Sequence, residues 1–510
     1  MDQVVASRLG DEAEGPWPLP AGWCWTRLGL VASVNPSTSF DEISEAAEIP
    51  FIPMAAVSEE TGLIDSAARR SVRDVSKGYV RFMEGDVIFA KITPCMENGK
   101  VAPVIGLPGR YAAGSTEFHV FRPAAVDQRY LWYWLVGRGF RAKAKRNMSG
   151  SAGQLRVPVD YLRESDFPLA PLAEQRRIVA RVDALFAEIA EGEAALAAAR
   201  EGLDTFRRAL LKAAVTGELT KDWRAANPVG ESGHDLLARI AETRAGKAPV
   251  KGRGRRATAA PPLDTSALPL LPEGWAWGTL GEVAEIVGGA TVDKKRKPAD
   301  PVTVPYLRVA NVQRGHVDLS EVKSITVERE AAAKLRLRPG DLLLNEGGDR
   351  DKIGRGWVWD GTIPEMIHQN HVFRARLHDG GLNPFFVSHY ANEIGRRFFI
   401  DEGKQTTNLA SISLSKISLL PIPIPPPAEA AEIIRRVSEA LAAAADTQAM
   451  LDAEAADAAR LKQSILKAAF EGRLVAQDPA DEPAAAMLAR FKADQPNAKV
   501  VRRRPRAKPE

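Results

Sequence analysis

The sequence predicts an α+β protein in which one unit, a mixed α+β domain followed by a long α-helix, occurs twice. Two observations predict this fold. Five sequence blocks recur in the same order in both halves of the chain, and a coiled-coil pattern of apolar residues follows each domain. A length of 510 residues with 45% apolar residues is sufficient for several sizeable cores.

The recurring blocks lie 252 to 255 residues apart. The matched pairs are LPAGWCWTRLG and LPEGWAWGTLG at Leu19 and Leu271, the Gly-Asp pairs at Gly85 and Gly340, HVFR at His119 and His371, PLAEQRRIV and PPAEAAEII at Pro171 and Pro426, and LLKAAVTGELT and ILKAAFEGRLV at Leu210 and Ile465. Because the order is kept and the spacing is nearly constant, the chain contains an internal duplication.

Each long helix is predicted from apolar residues at alternating spacings of four and three, which is the seam of a coiled coil. The seam residues are Ile178, Val182, Leu185, Ile189, Gly192, Leu196, Ala199, Leu203, Phe206 and Leu210 in the first helix, and Ile433, Val437, Ala440, Ala444, Thr447, Leu451, Glu454, Ala458, Leu461 and Ile465 in the second. We expect the two helices to pair through these positions, each as a rod of about 60 Å. The alternative is that each helix packs on its own domain.

These patterns divide the chain into seven segments. They are a disordered tail at 1–16, a first domain at 17–170, a first long helix at 171–220, a partly helical and then flexible basic linker at 221–268, a second domain at 269–425, a second long helix at 426–474, and a C-terminal segment with a basic tail at 475–510.

Composition excludes several classes of protein. The only cysteines, Cys24 and Cys95, are too few for a disulfide framework or a four-cysteine zinc site. The sequence has no signal-peptide core and no uninterrupted apolar run long enough to cross a bilayer, so we expect a soluble cytoplasmic protein without membrane contact. The net charge of +4 is nearly balanced, but basic clusters at 138–146, 244–256 and 502–508 could attract phosphates or could simply be solvated.

Catalytic signatures are missing. The sequence has no phosphate-binding GxxxxGK[ST] loop and no GxGxxG after a strand. Asn383-Pro384-Phe385-Phe386 lacks the second proline of the amino-methyltransferase motif, and the pair His368 and His371 has no further ligands that would complete a metal site. Asp86, Glu97 and Lys100 resemble a nuclease cluster only weakly, because the lysine is displaced by one position. We therefore expect no catalytic residue, no metal and no cofactor bound by this chain.

Polar, glycine-containing loops follow strands at matching places in both halves. Such side chains can contact base edges and phosphates, although loops of this composition are also ordinary turns. The candidate DNA-binding residues are Lys91, Thr93, Asn98, Lys100, Ser115, Thr116, Ser151, Gln154 and Arg156 in the first domain, and Asn345, Arg350, Lys352, Arg355, Gln369, Asn370, Lys404, Gln405, Thr406 and Asn408 in the second. His119 and His371 are interpreted as buried structural histidines of core strands.

Several of these segments together resemble the specificity subunit of type I restriction-modification systems. They are LPxGW at each domain start, GDVIFAKITPCMENGK, GSTEFHVFRP, HQNHVFR, the PLAEQRRIV helix start, and the helix ends LLKAAVTGEL and ILKAAFEGRL, and the resemblance extends from about Leu19 to Leu474. It implies two target-recognition domains, each reading one half of a split DNA site, and two conserved helices that pair antiparallel. It also implies a role in phage defence through DNA methylation and cleavage by partner subunits.

The implied partners are double-stranded DNA, two adenine-methyltransferase subunits that carry S-adenosylmethionine, and restriction subunits that use ATP and Mg²⁺. Two related domains on antiparallel helices would have a pseudo-twofold axis, and the helices would fix the spacing of an asymmetric bipartite target. The alternatives are a stand-alone DNA-modifying or nicking enzyme and a coiled-coil assembly protein without a DNA role.

Overall fold

The computed structural model describes residues 15–59, 61–64, 68–151, 153–228, 230–246, 263–291, 298–348, 352–378, 381–405 and 410–493. Most of the predicted N-terminal tail, the basic segment at 247–262 and the basic run at 494–510 lie outside these residues. The candidates Arg350, Thr406 and Asn408 also lie outside them.

The chain divides into two compact units. Unit 1 comprises Met1–Leu196 and Asp452–Glu510, and unit 2 comprises Ala197–Leu451. Each unit therefore contains one mixed domain, here called domain 1 (residues 17–170) and domain 2 (residues 269–425), together with residues from both long helices.

Short strands and helices make up domain 1. Their bounds are β1 (Cys24–Arg27), α1 (Leu28–Val31), β2 (Ala32–Val34), β3 (Glu48–Ile52), β4 (Ala68–Ser71), α2 (Val72–Val75), β5 (Val80–Met83), β6 (Val87–Ala90), α3 (Cys95–Asn98), β7 (Val101–Pro103), β8 (Tyr111–Gly114), β9 (Phe118–Pro123), α4 (Gln128–Val136), α5 (Arg138–Arg146), β10 (Ser149–Ser151), β11 (Gln154–Arg156), α6 (Val159–Glu164) and β12 (Asp166–Leu169).

The centre of domain 1 is an antiparallel sheet with the strand order β2-β9-β6-β7. All four residues of β6 are buried, which explains why its sequence VIFA is continuously apolar instead of alternating. A second sheet has the order β4-β3-β8-β5, in which β3 and β8 are parallel. Two-stranded pairs join β1 to β12 and β10 to β11.

Three helices follow domain 1. They are α7 (Leu172–Val215), α8 (Lys221–Ala226) and α9 (Gly233–Gly246). Helix α7 has 44 residues and begins directly after Pro171. Its end is followed by Gly217 with φ +75°, a left-handed conformation that glycine adopts without steric cost.

Domain 2 follows the same plan. Its elements are β13 (Ala276–Thr279), α10 (Leu280–Val283), β14 (Ala284–Val287), β15 (Pro301–Leu307), β16 (Lys323–Glu328), α11 (Arg329–Leu335), β17 (Leu342–Asn345), β18 (Gly347–Gly348), β19 (Gly356–Val358), β20 (Ile367–His368), β21 (Val372–Leu377), α12 (Pro384–Glu393), α13 (Gly395–Glu402), β22 (Lys404–Gln405), β23 (Ala410–Ser411), α14 (Leu414–Ile417) and β24 (Pro421–Ile424). Within the described residues, helices α15 (Pro427–Phe470) and α16 (Ala484–Ala493) follow domain 2.

The central sheet of domain 2, β14-β21-β17-β19, matches that of domain 1 strand for strand. The pair β13 and β24 matches β1 and β12, and the parallel pair β15 and β20 matches β3 and β8. In domain 2 the hairpin β22-β23 gains a third strand, β18. The duplication inferred from the sequence therefore extends to strand order and direction.

The strand register corrects one block of the sequence alignment. Val87 of β6 pairs with Phe121, and the equivalent Leu342 of β17 pairs with Ala375. Ala375 lies 254 residues after Phe121, whereas the two HVFR blocks are 252 residues apart. The structural counterpart of Arg122 is therefore Arg376, and not Arg374 as the shared HVFR letters predicted. The ion pairs agree with this register, because Arg122 binds Asp86 and Arg376 binds Asp341.

In unit 1, the first turns of α7 pack against the last turns of α15. Ile178 and Val182 share one core with Ile465 and Ala469. Lys462 of α15 forms an ion pair of 2.7 Å with Glu193 of α7.

In unit 2, the last turns of α7 pack against the first turns of α15. Ala214 and Val215 share a core with Ile433 and Val437. Arg207 and Arg200 donate to the carbonyls of Ala444 and Leu451, at 3.3 and 3.4 Å. A step of seven residues forward on α7 thus corresponds to seven residues backward on α15, so the two helices run antiparallel here.

Two predicted seam residues, one towards the C-terminal end of each long helix, lie outside the observed seam. Phe206 and Leu461 are 47% and 51% exposed, and the neighbouring Arg207 and Lys462 make the contacts across the pair. Ile178, Val182, Leu210, Ile433, Val437 and Ile465 are buried, and Leu185, Ile189, Leu196, Leu203 and Leu451 are half-buried.

A shorter helix follows each long helix and contributes to a hydrophobic core. Helix α16, after α15, contributes to the core of unit 1, and helix α9, after α7, contributes to the core of unit 2. In unit 1, Met487 and Leu488 of α16 enter the core that contains Trp23, and Ala484 N donates to Gly22 O at 2.8 Å. In unit 2, Leu236 and Ile240 of α9 enter the core that contains Trp275, and Gly233 N donates to Gly274 O at 2.7 Å. The repeat therefore continues into segments that the sequence analysis assigned to a linker and a tail.

Candidate nucleic-acid interface

Several candidate residues of domain 1 meet where strands of its central sheet begin or end. Strand β6 is antiparallel to β9, so the residue after β6, Lys91, lies beside the residue before β9, Glu117. Lys91 N donates to Glu117 O at 2.9 Å, and Val157 N, just after β11, donates to Lys91 O at 2.9 Å. Lys91, Glu117 and Arg156 are here called edge 1.

An ion pair dominates edge 1. Arg156 donates through Nε and Nη2 to the two carboxylate oxygens of Glu117, each at 2.9 Å. The hydrogen bond from Arg156, with smaller contributions from the charges of Lys91 and Arg156, holds the pKa of Glu117 below its usual value. The Arg156 side chain remains 40% exposed, so the guanidinium is accessible to solvent.

The other candidates of domain 1 differ in their surroundings. Thr93 N donates to Leu155 O at 3.1 Å and therefore lies beside the hairpin that carries Ser151 and Gln154, both exposed. Thr116 is exposed and Ser115 is half-buried, immediately before Glu117. These residues lie beside edge 1.

Lys100 and Asn98 have internal partners. The ammonium of Lys100, 15% exposed, donates to the carbonyls of Met54 and Val57 at 3.3 and 3.0 Å. The amide of Asn98 donates to Glu59 at 3.2 Å. Both side chains bind residues of the loop that follows β3, so we leave them out of the proposed contact surface.

The equivalent place in domain 2 has a different set of side chains. Glu346 follows β17 and His371 precedes β21, and Glu346 N donates to His371 O at 2.9 Å. Ile412 N, just after β23, donates to Glu346 O at 2.8 Å, which is the counterpart of the bond from Val157 to Lys91. Glu346, His371 and Ser411 are here called edge 2.

Edge 2 contains a carboxylate–imidazole pair. His371 Nδ1 lies 2.6 Å from a carboxylate oxygen of Glu346, and His371 Nε2 lies 3.4 Å from the amide nitrogen of Asn370. Since an ionised carboxylate only accepts hydrogen bonds, Nδ1 carries a proton and donates to Glu346, and in the neutral form of the ring Nε2 is then an acceptor. The His371 side chain is 55% exposed, which corrects its predicted role as a buried core residue.

The remaining candidates of domain 2 are arranged less uniformly. Asn345 is fully buried and its amide donates to the carbonyls of Val309 and Val312, at 3.3 and 2.9 Å, so its role is structural. Arg355 donates to the same Val309 carbonyl at 3.2 Å. Lys352, Gln369 and Asn370 are half-buried, and Lys404 and Gln405 form β22.

Glu117, Glu346 and His371, which belong to the two edges, are not among the candidate DNA-binding residues predicted from the sequence. A signal for Glu346 was available, because Lys91 and Glu346 each stand six residues after the glycine of the repeated Gly-Asp pair. No such signal was available for Glu117 and His371. The shared HVFR letters align His371 with His119, whereas the strand register makes His371 equivalent to Glu117.

His389 of α12 is buried, and so are two strand histidines, His119 of β9 in domain 1 and His368 of β20 in domain 2. His119 Nε2 bonds with Val157 O at 2.8 Å and Nδ1 with the Asn35 amide at 2.9 Å, while His368 Nδ1 bonds with Val372 O at 2.6 Å. Burial lowers the pKa of each imidazole to about 4, so both rings are neutral at pH 7. Within the described residues, no three His, Cys, Asp or Glu side chains come together as a metal site.

Two matched α+β domains with unlike polar edges, carried on a pair of long helices, define a tandem-repeat recognition subunit. The chain belongs to the family described as type I restriction modification DNA specificity domain, which matches residues 20–197 and 272–448. Members of this family recognise DNA targets and are not catalytic. Among the described helices, none has the combination of length and hydrophobicity that crossing a membrane requires.

Relatives and solved structures agree with this assignment. The chain is 27% identical over 477 residues to the type I restriction enzyme EcoAI specificity subunit of Escherichia coli, covering 84% of this chain and 79% of the relative. It is 26% identical over 502 residues to the EcoKI specificity subunit of Escherichia coli K12, covering 93% and 96%.

Two solved structures share the fold. One is a chain from a structure concerned with complex assembly and conformational transition of the type I R-M system, with a TM-score of 0.63 and 20% identity, covering 90% of this chain and all of that one. The other is the HsdS subunit from Thermoanaerobacter tengcongensis, with a TM-score of 0.51 and 20% identity, covering 90% and 99%.

Proposed function

We propose that this chain gives a type I restriction-modification complex its sequence specificity by reading an asymmetric, bipartite DNA target, one half-site per domain. The observation that carries the proposal is the match between edge 1 and edge 2. Their main chains form the same hydrogen bonds, from Lys91 to Glu117 and from Glu346 to His371, whereas their side chains differ in charge and hydrogen-bonding character.

Unlike edges on like scaffolds favour two different half-sites. The base pairs expose distinct sets of donors and acceptors in the major groove, so a change from Arg156 to Ser411 at one backbone position changes which base can be bound. Contacts to phosphates position a protein on DNA without reading its sequence. The exposed lysines and arginines of α5, among them Lys143 and Arg146, are suited to that second task.

Long helices support a fixed spacer between the half-sites. Helices α7 and α15 each contain 44 residues, which at 1.5 Å per residue is about 66 Å. A helix stabilised by pairing resists bending, so it limits the distances at which two attached domains can engage one DNA molecule. At about 3.4 Å per base pair, that limit would become a defined number of unread base pairs.

The partners follow from the repeat. Each unit has the same arrangement of domain, helix start and closing helix, so a surface that binds a partner in one unit has a counterpart in the other. Two copies of one methyltransferase subunit, each with S-adenosylmethionine, are therefore the expected assembly, one for each DNA strand. Restriction subunits that use ATP and Mg²⁺ would join this complex and perform cleavage.

Co-expression with a methyltransferase subunit of a type I system, followed by mapping of modified adenines, tests the proposal. The expected result is one bipartite motif with two unlike halves. Replacement of residues 19–170 by the corresponding domain of a relative should alter one half only. The chain alone should neither transfer methyl groups nor nick DNA. A change in both halves, or activity of the isolated chain, would contradict the proposal.

A further inference from the structure

The two edges agree position by position in their main chains. Register and hydrogen bonds make Lys91 equivalent to Glu346, and Glu117 equivalent to His371. Arg156 of β11 is equivalent to Ser411 of β23. Arg156 forms a bridge with Ile92, two residues after β6, and Ser411 pairs with Gly347, two residues after β17. The first position differs in the sign of its charge, with an ammonium at Lys91 and a carboxylate at Glu346, and the other two positions differ in the chemical type of the side chain.

Edge 1 presents donors. The Lys91 ammonium is close enough to Glu117 for its charge to help lower the pKa of that carboxyl group. Glu117 holds Nε and Nη2 of Arg156, while Nη1 lies 3.4 Å from the Gln154 carbonyl. Glu117 fixes the plane of the Arg156 guanidinium, and the arginine is still 40% exposed. A guanidinium held in this way suits the adjacent O6 and N7 acceptors of guanine.

Edge 2 presents acceptors. In the neutral form of His371 with its Nδ1 proton directed to Glu346, Nε2 is an acceptor beside a carboxylate that is 29% exposed. An exocyclic amino group, the N6 group of adenine or the N4 group of cytosine, supplies the donor that such a pair binds. The nearby Asn370 amide can supply a donor to the neighbouring acceptor of adenine, N7.

We propose that these matched positions determine base specificity, with Lys91 and Arg156 in domain 1 selecting guanine and Glu346 and His371 in domain 2 selecting a base with an exocyclic amino group. This inference rests on the proposed function and adds to it the residues and the base chemistry. Glu117 is a positioning residue, because it acts by holding Arg156.

Substitutions at the edges can be interpreted because the edge geometry depends on main-chain bonds. The bonds between residues 91 and 117, and between 346 and 371, remain when the side chains change. The side chains of His371 and Arg156 are 55% and 40% exposed, so their replacement leaves little apolar surface uncovered. His234, an exposed histidine on α9, provides a control of the same residue type in the same unit.

The experiment uses the complete complex with its methyltransferase and measures binding to duplexes that differ from the target at single base pairs. H371A and E346Q should each reduce discrimination about tenfold at one base pair of the half-site read by domain 2 and leave the other half-site unchanged. R156A should do the same in the half-site read by domain 1, at a G·C pair. H234A should change neither, and thermal melting identifies any variant that fails to fold.

If H371A is unstable, H371N keeps a polar side chain in place and should show the same loss of discrimination. Equal weakening on all sequences, or unchanged discrimination by folded variants of both edges, would overturn the inference. In that case the proposed function stands as long as the wild-type complex still reads two unlike half-sites. If the wild-type complex does not discriminate at all, the proposed function itself fails.

Discussion

Arg376 donates two hydrogen bonds of 2.7 Å to the buried carboxylate of Asp341, and Arg122 binds Asp86 in the same way at 2.8 Å. These pairs join β21 to the turn before β17, and β9 to the turn before β6. Each carboxylate also accepts a main-chain N–H of its own turn, from Arg338 and Met83. The ion pair thus fixes the turn that begins the central strand of each domain.

Removal of one partner should be costly. R376L leaves Asp341, 1% exposed, without its cation, and we expect the free energy of unfolding of domain 2 to fall by about 3 kcal/mol. Urea unfolding monitored by tryptophan fluorescence measures the change. The control is R329L, which removes an arginine that is 62% exposed from its partner Asp300 and should have little effect. Similar losses in both variants would contradict this interpretation of the buried pair.

The glutamates at the starts of the long helices should differ in importance. Glu429 accepts hydrogen bonds from Trp275, Thr220 and Arg224, at 2.9, 2.7 and 2.5 Å. Its counterpart Glu174 accepts from Trp23 at 2.9 Å and from the neutral amide of Gln477 at 3.2 Å. E429Q should therefore destabilise unit 2 by about 2 kcal/mol more than E174Q destabilises unit 1, because only E429Q leaves an arginine without its anion.

Differential scanning calorimetry of the two variants, with hydrogen exchange to assign the transitions to the units, gives the comparison. The helix N-terminus favours a negative charge at both positions, so the difference between the variants isolates the arginine. Equal losses of stability would show that the helix N-terminus and the tryptophan hydrogen bond account for the stabilisation by each glutamate, with no contribution from Arg224.

Stability should fall on acidification below pH 6.5. The pKa of His119 is about 4 in the folded state, whereas an unburied histidine has a pKa of 6.5. Between these two values the unfolded chain binds more protons than the folded chain, so stability is lost as the pH falls. For one such histidine the loss is about 2 kcal/mol at pH 5. H119Q should show a smaller decrease between pH 7 and pH 5 than the wild type, as measured by urea midpoints. An equal decrease would exclude His119 as a cause.

Lengthening the helix pair should lengthen the spacer of the DNA target. The end of α7 is unsuitable for an insertion, because Thr220 is fully buried against Glu429. Insertion of one heptad after Glu193 in α7 and one after Ala455 in α15 keeps the seam in register. Each adds about 10 Å, which corresponds to about three base pairs. Mapping of modified adenines should show unchanged half-sites with a longer gap, and an unchanged gap would exclude the helices as its determinant.

The sequence predicted the duplication, the mixed domains and the long helices correctly. Repeated blocks and apolar periodicity carry this information because they reflect local structure and burial. The helix bounds fall within a few residues of the prediction, since Pro171 and Pro427 mark the starts and Gly217 and Gly472 follow the ends.

Register and side-chain partners could not be predicted in the same way. Similar letters aligned Arg122 with Arg374, whereas the buried Asp341 selects Arg376. A strict heptad assigned Phe206 and Leu461 to the seam, but Arg207 and Lys462 make the contacts between the helices. The candidate Lys100 proved to bind carbonyls of its own domain. Each of these depends on contacts between distant segments, which sequence pattern does not encode.

The position of α16 has a consequence for synthesis on the ribosome. Met487 and Leu488, close to the C-terminus, pack in the core that contains Trp23, whereas Leu236 and Ile240 reach their core with Trp275 from just upstream of domain 2. The nascent chain can therefore complete its second half while its first half, although translated earlier, still lacks part of its interior. The half that is translated first is the last to become complete, and chains released prematurely would lack a finished N-terminal domain.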